Sequence, residues 1–257
     1  APSAPLDITM GDPAVGESAR IIGGHVDQDM SVVDIGGIQV TGRHNPPDYN
    51  GFQVCLGKEA LYGEQIQDLR RRIESGRFAR GRGGLERRAI VPVYQDHVVQ
   101  AVGPLARPVE LVVDSGNGTA GPVAPEIYRR LGARVTELYC EMDGRFPNHH
   151  PDPTLPEAMA ELVRTVRETG ADLGFGYDGD ADRLGVVDDQ GRLIWGDQLL
   201  IVFARDILPS HPGAAVISEV KASKVLYDEI ALLGGRPIMW RTGHSLIKKK
   251  IKEEKAV

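Results

Sequence analysis

The sequence has few cysteines, no long hydrophobic run and no excess of positive charge, and each absence excludes a class of protein. Only two cysteines occur in 257 residues, Cys55 and Cys140, and they lie far apart. A disulfide framework is therefore not expected, and reduced thiols are typical of the cytoplasm. No apolar run approaches the length of a membrane span, and no charged segment followed by an apolar one opens the chain. We therefore expect a cytoplasmic protein with neither a signal peptide nor a membrane partner.

The charge balance argues against nucleic acid as a partner. Acidic residues number 36 and lysine plus arginine 30, which gives a formal net charge of −6. General nucleic-acid binding usually requires a basic face. Hydrophobic residues make up 41% and charged residues 26%, a composition that permits a buried core. The length is sufficient for one large or two smaller domains.

From about residue 108 onwards, short β-rich runs alternate with helical patterns. Strands are expected at 109–114, 133–140, 171–178, 185–189 and 192–196, the last two as a hairpin, and helices at 122–131, 156–170 and 197–208. A further succession of strand, helix and strand from about residue 209 resembles the opening of another domain, and a helical segment follows it. Alternating strands and helices predict an α/β architecture with a mixed, largely parallel sheet.

The first hundred residues give weaker patterns. Residues 1–30 show no clear periodicity, and residues 31–40 are typical of a strand with a glycine break. Between residues 59 and 75, apolar side chains recur every three or four positions, which predicts one face of a helix. The Gly- and Arg-rich segment 75–92 is interpreted as a solvated connection rather than a basic binding patch.

The glycine-rich segment "SGNGTAG" (115–121) follows a predicted strand and precedes a predicted helix. Gly116, Gly118 and Gly121 have the G-x-G-x-x-G spacing of a dinucleotide-binding turn. That site also needs an acidic residue at the end of the next strand, and Glu137 and Glu141 satisfy this requirement only loosely. Since three glycines also suit a tight strand-to-helix turn, we favour the structural interpretation.

The segment "YDGDADRLG" (177–185) places three aspartates at alternate positions directly after a predicted strand. Asp178, Asp180 and Asp182 supply hard oxygen ligands of the kind that Mg²⁺ prefers. Arg183 adds a fixed positive charge that can bind phosphate in a bidentate manner. A solvated acidic turn is the simplest alternative, but ligands bind at the carboxyl ends of strands in α/β proteins.

Two other functional interpretations of this segment remain open. An EF-hand would require glycine where Arg183 stands and glutamate where Asp189 stands, and it would require flanking helices. A haloacid-dehalogenase-type phosphatase would use Asp178 as a nucleophile in a D-x-D loop. That loop usually continues with Thr or Val at the position of Asp182.

Two further features are interpreted as structural. His149 and His150 are adjacent in "NHHPDP" (148–153), so in an extended segment they point to opposite faces and do not easily chelate one ion. We therefore expect a structural loop. Trp195 and Trp240 both lie in apolar runs and are expected in the core.

Taken in order, five segments resemble the α-D-phosphohexomutase superfamily, and most closely its bacterial phosphomannomutase/phosphoglucomutase branch. The segments are "TGRHNPPDYNGF" (41–52), "VVDSGNGTAG" (112–121), "LYCEMDGRFPNHHPDP" (138–153), "DLGFGYDGDADRLGVV" (172–187) and "GGRPIMWRTGHSLIKKKIKE" (234–253). The resemblance implies repeated mixed α/β domains of the phosphohexomutase type, here partial. Domain 1 would occupy residues 1–98 incompletely, domain 2 residues 99–206 completely, and domain 3 would begin within 207–257.

The resemblance also implies an activity, that of an intramolecular phosphotransferase, which is an isomerase. In this family a phosphoserine gives its phosphoryl group to a hexose phosphate, and the resulting hexose 1,6-bisphosphate reorients and returns the other phosphate. Mg²⁺ would be held by Asp178, Asp180 and Asp182. The remaining candidate residues are Arg183, Lys221, Thr242, Gly243 and His244 for substrate binding, and His44 for proton transfer.

The chain departs from the family pattern at the nucleophile. Arg43 occupies the position of the phosphoserine, and a guanidinium that stays protonated cannot accept a phosphoryl group as serine does. It also adds positive charge where the metal ion would lie, so we expect weaker Mg²⁺ binding. Gln53 stands where the family usually has lysine. The sequence therefore predicts a phosphohexomutase whose activity is impaired, or alternatively a non-catalytic relative that binds phosphosugars or metal.

Overall fold

A computed structural model of the chain describes residues 36–41, 51–56, 59–76, 78, 84, 87 and 89–257. Its N-terminal part contains β1 (Gly36–Thr41), β2 (Gly51–Leu56), β3 (Glu59–Ala60) and α1 (Glu64–Glu74). β1 and β2 pair antiparallel, and Thr41 lies opposite Gly51. This pairing brings together the two ends of the segment that contains Arg43.

Two details of this part differ from the sequence predictions. β1 begins at Gly36 and continues to Thr41, so it extends one residue beyond the predicted strand. α1 begins at Glu64, because Gly63 has a φ of 55° that a right-handed helix does not allow. Glu59 and Ala60 pair with β2 instead of joining the helix.

The helix α2 (Ile90–Val102) is not among the elements that the sequence predicts. Its segment is rich in valine, which favours strands slightly over helices. Tertiary contacts nevertheless stabilise this segment as a helix. Gln95 is buried and its side-chain amide donates a hydrogen bond to the carbonyl of Val123 at 3.2 Å, directly before the next helix. The predicted boundary between domains 1 and 2, at residues 98–99, falls inside α2.

A five-stranded mixed sheet forms the centre of the molecule, as the sequence predicts. Its elements in chain order are β4 (Glu110–Asp114), α3 (Ala124–Leu131), β5 (Arg134–Leu138), α4 (Ala160–Thr169), β6 (Leu173–Tyr177), β7 (Leu184–Asp188) and β8 (Leu193–Ile194). The strand order is β5-β4-β6-β7-β8. β5, β4 and β6 are parallel, whereas β7 and β8 form the predicted antiparallel hairpin beside β6.

The core lies mainly between this sheet and α4. Val112 and Val187 of the sheet pack with Leu162 and Val166 of the helix, and all four side chains are fully buried. Gly174 permits the close approach, since a Cβ there would lie 2.6 Å from Cγ2 of Val166. Burial of such apolar side chains contributes roughly 1.5–3 kcal/mol each. On the opposite face, α3 covers a second cluster around Leu111 and Val113.

α4 begins later than the sequence predicts. The sequence places its start at residue 156, but the chain forms turns before the helix starts at Ala160. The main-chain N–H groups of Ala158 and Met159 both donate to the carbonyl of Leu155. These turns bury Ala158 and Met159 against the sheet, so packing rather than helix propensity sets the start.

The C-terminal part repeats the α/β pattern on a smaller scale. It contains α5 (Gly196–Ile207), β9 (Ala215–Glu219), α6 (Lys224–Leu232), β10 (Arg236–Trp240) and α7 (His244–Glu254). β9 and β10 are parallel. Within this unit, α5 packs against β9 and α6 in a separate buried cluster. Its members are Ala204, Leu208, Val216, Leu226 and Ile230. The predicted boundary at residues 206–207 therefore lies at the end of a helix that packs with the residues after it.

The helices are short. The longest in the described part of the chain, α2, has 13 residues. None of the helices in that part combines the length and the hydrophobicity that a membrane-spanning helix requires.

Candidate active site

Four of the residues predicted to carry chemistry, Asp178, Asp180, Asp182 and Arg183, lie at one edge of the five-stranded sheet. Because β4, β5 and β6 are parallel, their carboxyl ends lie at the same edge. Asp114 ends β4, and Asp178 follows β6 directly. β7 runs in the opposite direction, so it begins at this edge just after Arg183. We call this region the carboxyl edge, the position where α/β sheets bind ligands.

The three predicted metal ligands lie close together in the loop between β6 and β7. Carboxylate oxygens of Asp178, Asp180 and Asp182 all lie within 4.8 Å of one another. Asp178 is fully buried, whereas the side chain of Asp182 is 56% exposed. Ala181 has a φ of 59°, which bends the loop sharply between the last two carboxylates. The group therefore has one carboxylate buried in the protein, that of Asp178, and one exposed to solvent, that of Asp182.

Arg183 is fixed beside this group by two carboxylates. Its Nε donates to Oδ2 of Asp178 at 2.7 Å, and its main-chain N–H donates to Oδ1 of the same residue at 3.1 Å. Nη1 donates to Oδ1 of Asp152 at 3.1 Å. Partial burial opposes it, but these two carboxylates raise the pKa of Arg183 above its usual value. The guanidinium is one-third exposed, so it can still meet an anionic ligand.

Asp152 is a site residue that the sequence interpretation misses. It lies in the segment "NHHPDP", for which the sequence predicts a structural loop. Its Oδ1 accepts hydrogen bonds from the main chain of Thr154 at 3.0 Å and from the Thr154 hydroxyl at 2.7 Å. Burial works in the opposite direction, but these bonds and the charge of Arg183 lower the pKa of Asp152. Asp152 thus binds Nη1 of Arg183, while Asp178 binds Nε of the same guanidinium.

The loop between β6 and β7, which carries Asp178, Asp180 and Asp182, is called the acidic loop below. The glycine-rich turn after β4 contacts this loop. The main-chain N–H of Thr119 donates to the carbonyl of Gly179 at 3.1 Å. A Cβ on Gly118 would lie 2.8 Å from that carbonyl oxygen, and a Cβ on Gly121 would lie 2.0 Å from the carbonyl oxygen of Cys140. These close main-chain contacts account for the glycines as packing residues, in line with the structural interpretation.

The buried Asp114 and the partly buried His149 form a pair at the same edge. Nε2 of His149 is 3.1 Å from Oδ2 of Asp114, and the main-chain N–H of Gly116 donates to Oδ1 at 2.8 Å. The hydrogen bond to Asp114 raises the pKa of His149 above its usual value. His150 is exposed, so the two adjacent histidines do not converge on one ion.

A second group of predicted residues follows the strands of the C-terminal unit. Lys221 lies just beyond β9, is 76% exposed, and its Nζ lies 3.5 Å from Oε1 of Glu219. It borders a cleft of about 540 Å³ together with Trp195, Gly196, Asp197, Ser218, Glu219 and Ala222. Thr242 and Gly243 follow β10, and His244 is the first residue of α7.

The expectation of a buried Trp195 is wrong, because this residue is 47% exposed. It follows β8, an edge strand of only two residues, so its side chain lies at the border of the sheet. Trp240 is half-buried, with Nζ of Lys250 4.5 Å from its ring centre.

Arg43 and His44 lie outside the residues that the structure describes. The geometry therefore brings together Asp178, Asp180, Asp182 and Arg183 and leaves the predicted nucleophile position to sequence evidence. The donor set fits Mg²⁺, since it consists of three carboxylates from alternate positions of one loop with a buried anchor. The metal and substrate roles stay predictions.

Two known protein-family models match the chain, one over the unit with the five-stranded sheet and one over the C-terminal unit. The family model described as "Phosphoglucomutase/phosphomannomutase, alpha/beta/alpha domain II" matches residues 92–191, and the model for domain III matches residues 195–257. Together they cover more than half of the chain. The chain belongs to the α-D-phosphohexomutase superfamily. Its similarity is to the bacterial phosphomannomutase/phosphoglucomutase branch, as the sequence motifs predict.

Curated relatives agree with this membership. The phosphomannomutase/phosphoglucomutase of Pseudomonas aeruginosa is 49% identical over 221 residues, and the phosphoglucomutase of Neisseria gonorrhoeae is 46% identical over 223 residues. In both cases the match covers 86% of this chain and 48% of the relative. The chain thus spans about half the length of these phosphohexomutases.

Solved structures show the same fold. A phosphoglucomutase/phosphomannomutase family protein from Burkholderia thailandensis has a TM-score of 0.78 at 46% identity, over 86% of this chain and 48% of its own. A phosphomannomutase structure from Thermus thermophilus gives a TM-score of 0.68 at 22% identity, over 85% of this chain and 52% of its own. The phosphohexomutase fold is therefore retained in the part of the chain that matches.

Proposed function

We propose that this chain carries the metal-binding and phosphate-binding part of a phosphohexomutase site. The reaction is the interconversion of hexose 1-phosphate and hexose 6-phosphate through hexose 1,6-bisphosphate. The observation that carries the proposal is the loop after β6, where three carboxylate oxygens lie within 4.8 Å of one another and Arg183 is fixed beside them. The matching relatives are named as phosphomutases, and the protein is expected to act in the cytoplasm on soluble sugar phosphates.

The roles of the residues follow from the charge of the transferring group. Phosphoryl transfer depends mainly on positioning and on neutralising negative charge. Asp178, Asp180 and Asp182 would hold Mg²⁺, which supplies charge neutralisation at the phosphoryl oxygens when it is bound. Arg183 offers its exposed N–H groups to the same oxygens, while Asp152 and Asp178 fix its orientation. Lys221 and the segment Thr242–His244 would contact the sugar phosphate from the C-terminal unit.

Position 43 decides whether the chain can complete the reaction. In a serine-bearing relative, the serine oxygen carries the phosphoryl group between the two ends of the sugar, and His44 is suited to proton transfer beside it. Arg43 has no hydroxyl, so no phosphoenzyme can form at this residue. We therefore propose that this chain binds its ligands but is impaired in turnover. This arginine is also the observation that favours the alternative function, a non-catalytic relative that binds phosphosugars or metal.

The substitution Arg43→Ser tests the proposal. The variant is incubated with glucose 1,6-bisphosphate and Mg²⁺, and its intact mass is measured. We expect one added phosphoryl group on the introduced serine and none on the unaltered chain. Glucose 1-phosphate conversion to glucose 6-phosphate can then be assayed in the same samples.

The matched control is the double variant that also carries Asp180→Asn, which should not be phosphorylated. A folded Arg43→Ser variant that binds Mg²⁺ but gains no phosphoryl group would contradict the role of position 43. Hydrolysis of p-nitrophenyl phosphate by the unaltered chain, lost in Asp178→Asn, would instead indicate a D-x-D phosphatase.

A further inference from the structure

Trp195, whose side chain is exposed, follows a strand that runs towards the carboxyl edge, where the acidic loop also lies. β6 runs towards the carboxyl edge, β7 runs away from it, and β8 runs towards it again. Ile194 lies opposite Val186, so Trp195, directly after β8, is level with Gly185, close to that edge and two strands away from β6. With neighbouring strands about 4.8 Å apart, the lateral separation is roughly 10 Å. This separation is comparable to the length of a hexose bisphosphate.

The main chain at Trp195 is fixed while its side chain is open to solvent. The residue is extended, with φ −74° and ψ 159°, and its N–H donates to Oε1 of Gln198 at 2.9 Å at the start of α5. The indole nevertheless remains 47% exposed. An aromatic side chain on a fixed main chain is a low-entropy contact for a ligand, because only two side-chain torsions have to be ordered.

Polar groups of the C-terminal unit complete the cleft. Oδ2 of Asp197 accepts a hydrogen bond from the main-chain N–H of Ser223 at 3.0 Å, which ties the start of α5 to the segment after β9. Hydrogen bonds from Ser223 also lower the pKa of Asp197. Lys221, two residues earlier, carries its ammonium group at the same cleft. The cleft thus combines one aromatic face, one cation and two carboxylates, those of Asp197 and Glu219.

We infer that Trp195 forms a hexose subsite in which the sugar ring lies against the indole face and Lys221 binds a phosphate of the same ligand. This inference rests on the proposed function and deepens it. The face of a pyranose ring presents C–H groups that pack on the electron-rich face of an aromatic ring, and the hydroxyl groups at its rim can reach the carboxylates. The ligand class is a phosphorylated hexose, whose other end would reach the acidic loop.

The test uses the two indole N–H signals of the chain in nitrogen-15 NMR spectra. Trp195→Phe and Trp240→Phe assign these signals. Glucose 1-phosphate should shift the Trp195 signal, which this assignment separates from the Trp240 signal. Inorganic phosphate should shift the Trp195 signal much less than glucose 1-phosphate does, since the sugar ring is absent.

Affinity measured from the same titrations gives a second readout. Trp195→Ala should weaken binding of glucose 1-phosphate roughly tenfold, and Trp195→Phe should restore most of it. The matched control is Phe203→Ala on α5, where an aromatic ring is 60% exposed outside the cleft. It should leave the affinity unchanged, and binding of inorganic phosphate should not differ between the variants.

Two results would overturn the inference, and they differ in what they leave standing. If glucose 1-phosphate shifts main-chain signals of the acidic loop while the Trp195 signal and the Trp195→Ala affinity stay unchanged, the subsite is wrong and the proposed function stands. If glucose 1-phosphate shifts no signal at either place in the folded chain, both fail.

Discussion

The two edges of the five-stranded sheet both carry charged residues, but they arrange them differently. At the amino edge, where β4, β5 and β6 begin, three carboxylates each pair with an arginine on the surface. The pairs are Arg107 with Asp172, Arg134 with Glu110, and Arg192 with Asp188. The arginine side chains are all about two-thirds exposed, so water competes for these pairs and each contributes little to stability.

At the carboxyl edge, the charges are clustered and partly buried. Two of the carboxylates, Asp114 and Asp178, are almost completely inaccessible to solvent. Among the described residues, acidic groups outnumber basic ones here. The acidic residues are Asp114, Glu141, Asp143, Asp152, Asp178, Asp180 and Asp182, and the basic ones are Arg145, His149, His150 and Arg183. This concentration of carboxylates at the carboxyl edge supports the proposal that a cation binds there.

The largest effect is expected from Asp178→Asn. The buried carboxylate accepts hydrogen bonds from two groups of Arg183. Its loss should reduce the free energy of unfolding by about 2–4 kcal/mol and abolish measurable Mg²⁺ binding. Urea unfolding without Mg²⁺ measures the first effect and calorimetry the second. A variant as stable as the unaltered chain would show that the pair with Arg183 contributes nothing.

A smaller loss is expected from Gly118→Ala, which moves the acidic loop without changing its charges. The added methyl group would lie 2.8 Å from the carbonyl oxygen of Gly179 and 3.0 Å from that of Ser115. Since both neighbours are main-chain atoms, the loop must shift, at a cost of about 1–3 kcal/mol. Mg²⁺ affinity should fall as well. Gly144→Ala is the control, because a Cβ at Gly144 meets no atom within 4 Å.

A pH-dependent effect is expected from His149→Gln. The bond to Asp114 raises the pKa of His149, so the protonated pair stabilises the fold fully below the ordinary histidine pKa of about 6.5. This contribution disappears as the pH rises through the raised pKa. The variant should therefore lose roughly 1 kcal/mol at pH 5.5 and less at pH 9, measured by urea unfolding. The exposed His150→Gln serves as the control, and an equal loss at both pH values would exclude this coupling.

The smallest effect is expected at the amino edge, from Arg107→Gln. Its side chain is 67% exposed beside Asp172, so water replaces the lost contact. The urea midpoint and the Mg²⁺ affinity should match those of the unaltered chain within error. A clear change in either value would remove the contrast between the two edges.

Much of the fold could be predicted from local pattern. The strands of the central sheet are short β-rich runs between turn residues, and every described helix except α2 follows an apolar repeat or a helical composition. α2 escaped prediction because its valines favour a strand, and its place depends on contacts with α3 such as those of Gln95 and Asp96. The start of α4 escaped for a similar reason, since burial of Met159 fixes it.

The residues of the candidate site also fall into two groups, those that a local pattern predicts and those that depend on tertiary contacts. Asp178, Asp180 and Asp182 could be predicted because their alternation is visible within one short segment of sequence. Asp152 could not, since its role depends on a contact with Arg183 across 31 residues of sequence. The exposure of Trp195 could not be predicted either, because an apolar run does not reveal that β8 is a two-residue strand at the sheet edge.

Calorimetric titration of the folded, unaltered chain with Mg²⁺ tests the central claim most directly. We predict binding at one site, weakened roughly tenfold or more by Asp182→Asn and strengthened by Arg43→Ser. Asp143→Asn, which removes a partly buried carboxylate paired with the exposed Arg145 outside the acidic loop, should leave the affinity unchanged. Absence of binding, or an affinity that Asp182→Asn does not alter, would contradict the assignment of a metal site to the carboxyl edge.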